Sequence, residues 1–353
     1  MRGTARRFLI DGDGYMPWRG VAAVLLAVVV PVLLAVTVFG PAGAAVFIAA
    51  LPAHLAAKQA GIYAATVVTM VTAMGGVLAL GSLEMSLLVA ACLAIITSIG
   101  FRHGLATPCL RALFTWTVFT GPILPADEKP LILLLSIAAI FWSVSVTWAM
   151  GEAADASEEE SSGPEFSLLF GAMLGVGLVL SVYIGARFFG PHGFWFPLTF
   201  AVLWIPPFGQ LFTRTAKRTA GTVAGVALAM ALAIGVESEA TRAAIALAIV
   251  PFAFRILPRS YAGFTALLTM IVLEALSLVS DLDALAVERI WSMLAAALTA
   301  GLLGLLAFAI LRRVAPDALD ELMQPSEDDT REEDGPNAQE PRAEPRGRTP
   351  EPT

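Results

Sequence analysis

GVAAVLLAVVVPVLLAVTVFG, residues 20–40, runs for 21 positions without one charged side chain. A bilayer core of about 30 Å takes about 20 apolar residues in a helix, so this run is long enough to cross. It follows Arg2, Arg6 and Arg7 as a signal peptide would. Its apolar stretch is too long for one, no A-x-A site precedes a soluble domain, and further apolar runs follow. We read it as the first membrane helix. Five more runs, roughly 43–57, 60–80, 84–101, 104–121 and 131–150, complete a first half. A second half holds six others, at roughly 166–187, 193–211, 218–236, 241–257, 260–280 and 284–311.

Composition agrees. Of 353 residues 57% are hydrophobic and 14% charged, against about half and about a quarter in soluble domains. The charge is unevenly spread. Residues 317–353 carry a net −8 and residues 151–165 a net −6, so a whole-chain charge of −7 leaves +7 on the rest. The expectation is an all-α polytopic membrane protein of about twelve helices. Its parts are a first repeat (1–150), an acidic, solvated linker (151–165), a second repeat (166–313) and an acidic tail (314–353). The tail has almost no large apolar residues and is expected to be disordered. With the N-terminus inside, thirteen Lys and Arg fall on cytoplasmic ends and four, Lys129, Arg187, Arg242 and Arg289, on outer ones, a positive-inside bias that puts both termini in the cytoplasm. Nineteen Arg against three Lys, with abundant Ala, fits a GC-rich bacterial genome. Cys92 and Cys109, both in apolar runs, read as small core residues.

An internal repeat supports the division. Gly40-Pro41-Ala42-Gly43 recurs as Gly190-Pro191-His192-Gly193, and Gly75 and Gly225 keep the same 150-residue offset, while Gly104 and Gly263 stand 159 apart. Two parallel six-helix repeats are expected. In each, the second helix contains proline: Pro52 in the first, Pro197 and the pair Pro206-Pro207 in the second. Proline removes a backbone donor, and lipid supplies no replacement. Helices interrupted at matching positions point to a transport site.

Ionisable groups inside apolar runs are functional candidates by default. Glu274 lies about 20 Å and Arg111 about 10 Å from the cytoplasmic ends of their helices, which makes Glu274 a candidate proton carrier and Arg111 an anion contact. The two meet only by extending towards each other. His54, two residues after Pro52, is a second proton-coupling candidate. The densest polar and aromatic cluster surrounds the second half's broken helix: Trp195, Thr199 and Trp204, Pro206 and Pro207, then Arg214, Lys217 and Arg218. Gly221 and Gly225 form a G-x-x-x-G, the mark of a close helix crossing. No metal-ligand spacing, nucleophile elbow or phosphate loop is present, so neither an enzyme nor a cofactor is expected, and no basic block suggests nucleic acid.

Trp195, Leu198 and Thr199, Pro207 and Gly209, Arg214 and Arg218, then Gly221, Thr222 and Gly225 follow one another in an order that resembles the fusaric-acid-resistance and aromatic-acid-exporter family. The likeness is good over about 190–230 and degenerate in the first half, where Lys58 stands nearly alone among the bases. It implies efflux of small organic anions, aromatic carboxylates above all, from the inner membrane, alongside a periplasmic adaptor protein; a homo-oligomer is a further expectation. The leading expectation is a proton-driven exporter. Its rivals are a passive organic-anion channel and a non-transporting assembly subunit held through the acidic tail. Deleting residues 317–353 separates them: an exporter keeps its efflux, measured as cellular accumulation of labelled substrate, and a tail-anchored scaffold loses its function.

Overall fold

Backbone N–H and C=O groups in an apolar slab must be satisfied within the chain, which leaves helices or closed barrels. The computed structural model describes residues 14–205, 210–278 and 280–314. These are overwhelmingly helical, with no strand among them. The first half comprises α1 (Trp18–Val24, a π-helical turn Leu25–Val29, and Val30–Phe39), α2 (Ala45–Ala79), α3 (Leu83–Arg102), α4 (Ala106–Trp116) and α5 (Lys129–Ala149). The second comprises α6 (Pro164–Phe188), α7 (Trp195–Leu203), α8 (Leu211–Gly235), α9 (Glu239–Ile256), α10 (Tyr261–Leu276) and α11 (Leu282–Val314).

Six helical stretches are long and apolar enough to cross a membrane, one of them the 62-residue stretch Trp18–Ala79. At about 1.5 Å per residue such a stretch would reach three times the depth of a bilayer core, so it must be interrupted. The interruptions are Gly40 (φ 57°) and Gly61 (φ 81°), both in the left-handed region that favours glycine. Pro52, expected to break this helix, lies inside it without doing so; the non-helical residue is Gly61. The large apolar side chains left on the outside, among them Tyr63, Trp148, Leu168 and Ile234, form the surface of a multi-pass membrane protein.

The two glycine-proline tetrapeptides make the same turn. Each is a short 3-10 segment entered through a left-handed glycine, Gly40 or Gly190. Each folds the chain onto the helix before it: a Cβ on Gly43 would lie 2.3 Å from the carbonyl carbon of Ala35, and one on Gly193 would lie 2.1 Å from the carbonyl oxygen of Gly185. The other proposed glycine pair does not match. Gly104 is a left-handed turn residue, whereas Gly263 sits in the first turn of α10, its N–H bonded to Ser260 Oγ at 3.0 Å.

The halves are joined at several places. A Cβ on Gly171 of α6 would lie 2.4 Å from Ser98 Cβ on α3, and the Ser98 hydroxyl donates to the Ser167 carbonyl at 2.5 Å. Trp116, Phe119, Phe170, Phe200 and Trp204 pack into one core drawn from both halves. The N-terminal approach docks on α9: Met16 N–H donates to the Arg255 carbonyl at 3.1 Å, and the Arg255 guanidinium lies 4.9 Å from the Trp18 ring. The acidic linker is pinned rather than freely solvated. Glu152 pairs with Lys58 at 2.7 Å, Glu159 accepts from Thr107 N–H and Oγ1, both at 3.1 Å, and Ala154 N–H donates to the Ala57 carbonyl. The tail expected to be disordered lies outside the described residues, apart from Val314, which ends α11. Gly171→Leu drives a branched side chain into Ser98; overpacking of this kind costs about 1–3 kcal/mol. The expected outcome is a lower melting temperature of the detergent-solubilised protein, with Gly301→Leu, which meets open space, as the neutral control.

Candidate functional site

The G-x-x-x-G decides where the second half's charges meet. A Cβ on Gly221 would lie 2.6 Å from the Ala262 carbonyl oxygen, and one on Gly225 would lie 2.4 Å from that of Ala266. Helices α8 and α10 therefore touch backbone to backbone, as the spacing predicts. The contact brings Arg218, three residues before Gly221, to the start of α10, where its Nη1 donates to the Tyr261 hydroxyl at 3.0 Å. Arg218 is buried, and its Nε has no partner.

A second buried guanidinium belongs to this place. Arg289 of α11 lies 5.3 Å from the centroid of the Trp195 ring, and it feels the like charge of Arg218 and the Tyr261 hydroxyl. Its Nη1 is buried without a partner. Among the described residues no carboxylate lies within ion-pair distance of either arginine. The neighbouring Glu288 is taken by His192, whose Nδ1 is 2.6 Å from its Oε2. Three buried hydroxyls without partners sit one helical turn from these groups: Thr222 from Arg218, Thr265 from Tyr261, and Thr199 from Trp195. Residues four apart share a helix face, so the unanswered groups converge from α7, α8, α10 and α11.

The remaining candidates are dispersed. Glu274 is fully buried, but its partner is Arg242 of α9, whose Nε donates to Oε2 at 3.0 Å, while Oε1 is unanswered. Arg242 was expected to be an outer flanking charge; it is buried. Arg111 does not meet Glu274. It is half-buried on α4, where Glu159 of the linker acts on it. Trp204 stacks on Phe200 at 5.1 Å in the main core, apart from the smaller cluster that holds Trp195. Arg214 donates to the Ile205 carbonyl just beyond the end of α7, and Lys217 is exposed. Pro206 and Pro207 lie outside the described residues. Cys109 is buried, but Cys92 is on the outer face rather than in a core.

His54 is buried beside Thr147. The Thr147 hydroxyl donates to the Ser143 carbonyl at 2.7 Å, so it accepts at 2.8 Å from His54 Nδ1. A hydroxyl has one hydrogen to give, which fixes the proton of the neutral ring on Nδ1 and leaves Nε2 an acceptor without a partner.

Sequence reasoning overlooked Arg289 and Tyr261. Arg289 was counted as an outer flanking charge, yet it lies inside the apolar run 284–311, the same signal that singled out Arg111.

The fold is thus that of a multi-pass membrane protein with an acid-free cationic cluster between helices. Residues 167–306 match the family model described as fusaric acid resistance protein-like, the likeness that the motif order led us to expect. The family is one of membrane transport proteins. No curated protein and no solved structure matches the chain. Removing one member of a buried ion pair strands the other, at about 3–5 kcal/mol, whereas replacing both with apolar residues is often neutral. Arg242→Leu should therefore lower thermal stability sharply and Arg242→Leu/Glu274→Leu should restore most of it. Equal losses in the single and double variants would show that the pair is not what holds α9 to α10.

Proposed function

We propose that this protein is an inner-membrane exporter of small organic acids, aromatic carboxylates above all, driven by the proton gradient. One observation carries the reading: Arg218 and Arg289 are both buried, both have a nitrogen without a partner, and among the described residues no carboxylate pairs with either. A buried charge is strongly unfavourable unless paired, so a protein that keeps two such cations together gains by admitting an anion between them. Trp195, beneath Arg289, supplies the aromatic wall. Exposed Lys217, with Arg214 in the first turn of α8, draws organic anions in from the cytoplasmic side. Glu274, with one oxygen on Arg242 and the other unanswered, is the proton carrier, and His54 Nε2 is the second proton acceptor.

Twelve spans in two parallel repeats are the architecture that fits this role. The shared turns at Gly40 and Gly190 and the thirteen-to-four charge bias support it, with both termini in the cytoplasm. A periplasmic adaptor would complete the efflux route. The test is accumulation of labelled hydroxybenzoate in cells with and without the protein, before and after a protonophore. Expression should lower accumulation and the protonophore should restore it. Arg218→Ala, verified as inserted, should abolish the difference, and Glu274→Gln should remove its dependence on the gradient. Accumulation unaffected by the wild-type protein, across a panel of aromatic and aliphatic acids, would refute export.

A further inference from the structure

The charge of the cluster says more about its ligand than the exporter reading does. Arg218 and Arg289 together carry two positive charges that no carboxylate pairs with among the described residues; Glu274 is committed to Arg242 and Glu288 to His192. The Tyr261 hydroxyl accepts a hydrogen bond from Arg218 and brings no carboxylate to the pair. A ligand with one negative charge would leave one cation buried and unbalanced, still repelled by its neighbour. A ligand with two would balance both. Guanidinium presents donors in a fixed fork that matches a carboxylate, so two guanidiniums suit two carboxylates.

Resting on the exporter reading, we propose that the site formed by Arg218 and Arg289 is built for a dianion, an organic acid with two carboxylates on one small scaffold, and that Arg289 is the residue that selects for the second charge. Arg218 takes one carboxylate through Nε, with Thr222 one turn away on the same helix. Arg289 takes the other through Nη1, held over Trp195 so that its charge stays in the site. The hydroxyls of Thr265 and Thr199 supply the remaining hydrogen bonds.

Benzoate and phthalate test this directly, since they share a ring and differ by one carboxylate that is ionised at neutral pH. Equilibrium binding of each is measured on the full-length protein purified into lipid nanodiscs. Wild-type protein should bind phthalate at least tenfold more tightly than benzoate. Arg289→Gln should bring the two affinities within about threefold of each other, mainly by weakening phthalate, and Arg289→Lys should retain the preference because it retains the charge. If Arg289→Gln does not yield folded protein, Arg218→Gln is expected to give the same collapse of the preference. Equal affinities in the wild type, a phthalate preference that survives Arg289→Gln, or binding of neither acid would each overturn the proposal. The cellular experiment stands apart from this one. Selective, Arg289-dependent binding by a protein that does not lower accumulation in cells would refute export and leave the dianion site standing. Export of hydroxybenzoate by a protein without charge preference would do the reverse.

Discussion

Hydrocarbon offers a polar group no partner, and the chain answers that constraint almost everywhere from its own resources. At the π-helical turn of α1, Val30 N–H bonds to the Leu25 carbonyl rather than the Leu26 one. The freed Leu26 carbonyl accepts from Trp142 Nε1 of α5 at 2.9 Å, so a defect in one helix becomes a tie to another. Thr69, Thr72, Thr97 and Ser136 each return their hydroxyls to a carbonyl one turn back in their own helix. Where two helices need to approach, glycine lets them touch without any polar group at all. Against this thrift, Arg218, Arg289, Thr199, Thr222 and Thr265 each keep a buried polar atom unanswered.

The close crossing of α8 and α10 turns that exception into a site. With a Cβ at Gly221 or Gly225 the helices would be forced apart at the contact, and Arg218 would lose the Tyr261 hydroxyl that orients it. The third wall, α11, brings Arg289 over Trp195. The same helix anchors the outer rim through Glu288 and His192, so the acid nearest in sequence to Arg289 is held away from it. Glycine geometry, rather than attraction between the charges, assembles two cations that repel one another.

Much of this was legible in the sequence, for physical reasons. Apolar runs bounded by Gly, Pro and charge mark helices because lipid permits little else, and the described residues are overwhelmingly helical, with six stretches long and apolar enough to cross a membrane. The crossing at Gly221 was legible because small residues at a four-residue spacing have one main use in a membrane. Partners were not. Periodicity says that Glu274 is buried but not which of several distant arginines faces it, and the answer, Arg242, is 32 positions away on another helix. Pro52 misled because proline can be absorbed within a packed helix, while Gly61, which does break it, looks unremarkable among many glycines. Arg289 lies near a helix end, where a charge commonly marks the membrane surface, so its burial is not legible in the sequence.

The 150-residue offset shows what distinguishes the halves. It holds for the two turns and for Gly75 and Gly225, so it spans the region that carries the site. At that offset Trp195 corresponds to Ala45, Thr199 to Ala49, Arg218 to Val68 and Thr222 to Thr72. Three of the four positions are small or apolar in the first half. The fourth keeps its threonine, but the Thr72 hydroxyl bonds back to the Val68 carbonyl at 2.8 Å, whereas the Thr222 hydroxyl has no partner. The same position is thus self-satisfied in one half and unanswered in the other. Under the proposed function, that is the difference between a residue serving its own helix and one kept for a ligand.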